Sequence, residues 1–160
     1  MGEAILYANN YIAANKSDYG LDSNELAIVV IARHSSTPFA FTDAMWAKYG
    51  KVFAQMSAVQ DPHTKAAPTM NIFDAAGYGM ELPSFGTTIG MLTKQGVQFA
   101  VCSMATMGIA GEIGRQMGVN GDPVFKELTA NLIPNARMVP AGIVAVNRAQ
   151  ERGYTFSYVT

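Results

Sequence analysis

The chain runs to 160 residues, 49% of them hydrophobic and 14% charged, with a formal net charge of −1; this suits one domain over 1–160 and excludes a disordered polymer. No Lys/Arg cluster exceeds a pair, so there is no basic face for nucleic acid, and no window reaches the roughly 18 to 20 apolar residues of a membrane span. A single cysteine, Cys102, excludes an internal disulfide and a Cys-cluster zinc site.

The first periodic segment, 3–14, puts Ile5, Ala8, Tyr11 and Ile12 on one side of a helix, and turn chemistry around Tyr19-Gly20 closes an N-terminal unit of 1–20. "ELAIVVIARH", 25–34, has the apolar, β-branched pattern of a strand covered on both faces. It ends in Arg33-His34 and the loop Ser35-Ser36-Thr37-Pro38. Thr42 and Asp43 start a helix over 43–56, which packs through Met45, Trp46, Tyr49, Val52 and Phe53. Residues 57–83, with Pro62, Pro68, Gly77, Gly79 and Pro83, form the longest irregular stretch, a length at which loops commonly serve function or an interface. Ser84 caps a helix over 85–95 that stops at Gly96.

"VQFAVC", 97–102, is the second strand, and the helix after it, 104–117, stops at Gly118. Asp122-Pro123 opens a helix over 123–131. "ARMVP", 136–140, is a short strand, Pro140 opens a helix over 141–152, and "YTFSYV", 154–159, alternates as a last strand at an edge. Strands alternating with helices imply right-handed crossovers, and so a three-layer α/β sandwich around a mainly parallel sheet, flavodoxin-like or Rossmann-like. No G-x-G-x-x-G follows the first strand and there is no P-loop, so no nucleotide site is expected and no cofactor is assigned.

Ligands of open α/β sheets bind beyond the carboxyl ends of the strands. His34 and Cys102 occupy that edge and form the candidate catalytic pair; Arg33, Ser35, Ser103 and Met104 flank them as candidate crevice residues. Cys102 directly precedes a helix, whose free N–H groups and positive end favour a thiolate, the form that nucleophilic or sulfur-carrying chemistry needs. The same position suits a packed residue, because free cysteine is among the most buried types. His34 and Arg33 also have plain readings, as a loop hydrogen bond and an ion pair or subunit contact. His63, in "DPHTKAAP", reads as solvated, while Met104, Met107 and Met117 recur at helical spacing and read as core. A Cu(I) site of Cys102, His34 and Met104 or Met107 is the soft-metal alternative, although no metal site is assigned.

"GVQFAVCSMA" before a helix, with the tail "MVPAGIVAVNRAQERGYTFSYV", resembles DsrE/DsrF-like proteins. "YANNYIAANKSDYGL", "VVIARHSSTPFAFTDAMWAKYG" and "NLIPNARMVPAGIVAVNRAQERGY" are similar to an uncharacterised bacterial subgroup of DsrE-like proteins. The resemblance implies an α/β domain with about five strands that forms homo-oligomers, often trimers or hexamers. In sulfur-relay members the matching cysteine carries a persulfide to a protein thiol partner, and Cys102 alone carries over. Relay members often show Arg-Gly several residues later; this chain has Met107-Gly108-Ile109 there.

The opening "MGEAILYANN" lacks a basic and apolar leader, which predicts a cytoplasmic protein. Subgroup members often begin with a twin-arginine export leader, so a periplasmic location is the alternative. The expected function is sulfur handling, with Cys102 as persulfide acceptor. The alternatives are a non-catalytic module for small-ligand binding or assembly, and a Cu(I) carrier.

Overall fold

Three short strands form the sheet: β1 (Val29–Ala32), β2 (Gln98–Cys102) and β3 (Ala136–Val139), parallel and in the order β1-β2-β3. The computed structural model describes residues 1–159. Val30 pairs with Phe99 and Ala32 with Val101, while Phe99 pairs with Ala136 and Cys102 with Val139. Parallel neighbours need long crossovers. The first contains α2 (Asp43–Ser57), a long irregular stretch and α3 (Ile89–Lys94). The second contains α4 (Ser103–Met117) and α5 (Gly121–Ala130). Helix α1 (Gly2–Tyr19) precedes β1, and α6 (Gly142–Gln150) follows β3.

Alternation along the strands divides the sheet into two faces. Val30, Ala32, Phe99 and Val101 join the main core with Ile5 and Ile12 of α1, Trp46 and Phe53 of α2, and Ile109 and Ile113 of α4. Trp46 stacks on Phe39 at 5.1 Å and meets Phe53 edge-on at 5.1 Å, while its indole N–H donates to the Pro38 carbonyl at 3.0 Å. That bond matters because a buried indole without an acceptor would lose its hydration uncompensated. Helix α6 covers the other face. A Cβ added at Gly142 would lie 2.9 Å from Arg33 Cβ and 3.4 Å from Ile31 Cγ2, so the helix start presses directly on β1.

The α/β class and the parallel sheet are as expected, and α2 buries all five of its expected packing residues. Several expectations are corrected. Three strands, rather than about five, form the sheet among the described residues. Residues 154–159 join no ladder; their alternation marks a segment able to pair, but Phe156 and Tyr158 instead lie exposed and the Arg33 guanidinium sits 5.6 Å from the Tyr158 ring centre. Only Val29–Ala32 of the 25–34 run is a strand, paired with Gln98–Val101 of β2. Ser84 does not start a helix: α3 begins at Ile89, where Thr88 Oγ1 accepts from the Met91 N–H at 3.2 Å. Helix α5 starts earlier than Asp122-Pro123 indicates, with Asn120 Oδ1 accepting from the Asp122 N–H at 2.8 Å.

The methionines of α4 are also corrected. Its buried stripe is Thr106, Ile109, Ala110, Ile113 and Gly114, which leaves Met104, Met107 and Met117 on the exposed side. Tyr11 of α1 is likewise exposed, whereas Ile5, Ala8 and Ile12 are buried.

Candidate functional site

The strands bearing the candidate residues are neighbours, as the sequence argument requires. One step past the Ala32–Val101 pair, Arg33 has left the sheet while Cys102 still pairs with Val139 of β3. Beyond Arg33 the chain enters a 3-10 turn, His34–Ala40, beyond Cys102 it enters α4, and shortly beyond β3 it enters α6. Three helical segments therefore begin at one edge. Ser36 ties the first turn together: its Oγ accepts from the Arg33 N–H at 3.0 Å and donates to the Arg33 carbonyl at 2.8 Å. His34 adopts φ 51°, an uncommon left-handed conformation for a residue with a Cβ, and its side chain is exposed.

Cys102 closes the central strand and caps α4. Its Sγ accepts from the Ala105 N–H at 3.4 Å, and its carbonyl accepts from the Thr106 hydroxyl at 3.0 Å. The residue is 7% exposed. Val101, its neighbour, points into the main core, so alternation turns Cys102 to the face that α6 covers. Ser103 is half-buried and Met104 exposed in the first turn of α4.

A crevice of about 740 Å³ opens between α1, β1, α6 and residues 152–159. Arg33, His34 and Ser35 line it; Cys102, Ser103 and Met104 do not. The six candidates thus fall into two groups, one facing the crevice and one at the start of α4. Sequence reasoning missed the crevice's Tyr7, Arg152, Tyr154, Phe156 and Tyr158, and read Tyr11 as packed. Their one sequence signal, the aromatic alternation of 154–158, points equally to a strand.

The long irregular stretch has its own polar centre. Asp61 accepts from the His63 N–H at 2.8 Å, the Thr64 N–H at 3.2 Å and the Tyr78 hydroxyl at 3.0 Å. Burial pushes the Asp61 carboxyl up, but these three hydrogen bonds outweigh it and hold the group below its ordinary range. Burial, with the hydrogen bond to Asp61, pushes the Tyr78 phenol up. His63 stacks on Tyr78 at 4.4 Å and places Nε2 2.6 Å from Glu81, so this partly exposed histidine clamps the loop. Among the described residues no group of three or more His, Cys, Asp or Glu side chains converges to hold a metal, and no helix is long and apolar enough to cross a membrane.

No family model, curated protein or solved structure matches the chain.

Proposed function

We propose that the chain is a DsrE-like domain of flavodoxin-like type that carries sulfane sulfur on Cys102. The observation that carries this reading is the 3.4 Å hydrogen bond from the Ala105 N–H to Sγ. A sulfur at that point accepts from a backbone N–H in the first turn of a 15-residue helix. The motif resemblance around Cys102 and in the C-terminal segment supports the same assignment.

The reaction is a sulfur transfer without net oxidation. The Cys102 thiolate attacks the outer sulfur of a donor persulfide, R–S–SH, forming a new S–S bond as the donor's S–S bond breaks. The donor leaves as R–S⁻, and Cys102 holds the outer sulfur as a persulfide. A partner protein thiolate then attacks that outer sulfur and restores the Cys102 thiolate. We assign the working form to a homo-oligomer, a trimer or hexamer by the same resemblance.

Incubation with a low-molecular-weight persulfide followed by intact mass measurement tests the reading. One added sulfur atom is expected on the native chain and none on Cys102→Ser or Cys102→Ala. An unmodified native chain, or equal labelling of the variants, overturns it.

A further inference from the structure

We propose that the crevice at the outer side of β1 binds a small organic anion with a flat apolar body, of the aromatic carboxylate class. Its volume of about 740 Å³ is that of a small-molecule site. Two arginines and one histidine, Arg33, Arg152 and His34, are among its lining residues, and no aspartate or glutamate is. The chain as a whole carries 12 acidic and 11 basic residues, so this exclusion of carboxylates is local.

The Arg33 guanidinium rests 5.6 Å from the Tyr158 ring centre, a contact that leaves its N–H fork for a carboxylate. Among the described residues neither Arg33 nor Arg152 joins an ion pair. Arg152 spends one N–H on the Arg148 carbonyl at 2.9 Å, which leaves most of its five donors free. A planar fork of N–H donors matches a carboxylate in a way that a lysine point charge does not.

The rest of the wall fits a flat apolar body. Tyr7 and Tyr11 of α1 and Tyr154, Phe156 and Tyr158 of the C-terminal segment supply ring surfaces, and Val29 and Ile31 of β1 supply aliphatic ones. Tyr7 and Tyr11 are each more than half exposed, so their ring surface is not consumed by the core. Rings alone would equally accept an organic cation; the guanidinium groups repel one and select the anion. Cys102 takes no part in the lining, so this site stands whether or not Cys102 carries sulfur.

Calorimetric titration of the full chain with 2-naphthoate, and with its neutral amide, tests the proposal. Saturable 2-naphthoate binding is expected, about tenfold tighter than the amide. Arg33→Gln with Arg152→Gln weakens it by about the same factor, while Arg33→Lys weakens it less and controls for folding. Cys102→Ser leaves it unchanged. No binding to the native chain, equal affinity for acid and amide, or an unaffected folded double variant overturns the proposal. Self-association that the arginine substitutions abolish, without naphthoate binding, would assign the crevice to a second copy and also overturn it.

Discussion

Gly50 lies where α2 meets the carbonyl of Pro68, and a Cβ there would sit 2.1 Å from that oxygen. The obstacle is backbone, so neither a rotamer change nor a flexible side-chain end relieves it. Gly50→Ala is expected to destabilise the chain by about 1–3 kcal/mol, read as a lower denaturant midpoint at constant slope. Gly111, in α4, has nothing within 4 Å of its added Cβ and is exposed. Gly111→Ala is expected to stabilise by about 0.5–1 kcal/mol through helix propensity and unfolded-state entropy. Residue type and helical setting are the same; the neighbouring atoms set the sign. The same distinction separates what the sequence reveals about the site from what it hides. Cys102 is legible because a strand pattern ends and a helix begins around it. Arg152 and Tyr7 are not, because a crevice wall is assembled from separate elements that share no spacing.

At the scale of elements, periodicity reads well when one stripe is clearly apolar, as in α2. It misleads where methionine lies on the outer side of a helix whose buried stripe includes threonine and glycine, as in α4. The loop after α2 was legible as irregular, but its order around Asp61 was not, because this order comes from contacts between residues 61, 63, 64 and 78. Those contacts predict an acid-sensitive loop. Hydrogen bonds hold the folded Asp61 carboxyl below its ordinary range, so its stabilising contribution is full above the unfolded carboxylate pKa of about 3.9. It is lost as pH falls through the lower folded value. Amide exchange at His63 and Thr64 is therefore expected to show reduced protection in that acid window in the native chain, with a smaller pH dependence in Asp61→Asn. A loop equally pH-sensitive in both chains would rule Asp61 out as the cause. Tyr78→Phe removes the third hydrogen bond while keeping the ring, and is expected to cost about 1–2 kcal/mol at neutral pH in a denaturant titration.

For the whole molecule, alternation of strand and helix patterns was enough to read a parallel α/β sheet, since parallel neighbours cannot be joined without crossovers. Strand number was not legible, because an alternating segment such as 154–159 declares that it can pair without naming an edge to pair with. Assembly poses the same problem. Helices α4 and α6 both start from the carboxyl edge of the sheet, and they expose Met104 and Met107 on one and Ile143 and Val144 on the other. Exposed apolar side chains gain stability by meeting a copy of themselves, and closed symmetric assemblies bury them on every subunit. The proposed trimer or hexamer thus predicts a sedimenting mass that is a multiple of 17.1 kDa. Met104→Glu with Met107→Glu would place charge on the exposed side of α4, outside its buried stripe, so a monomer with unchanged circular dichroism is expected. A native chain that sediments as a monomer would remove the assembly proposal itself. A double variant that keeps the native mass would place the subunit contact elsewhere.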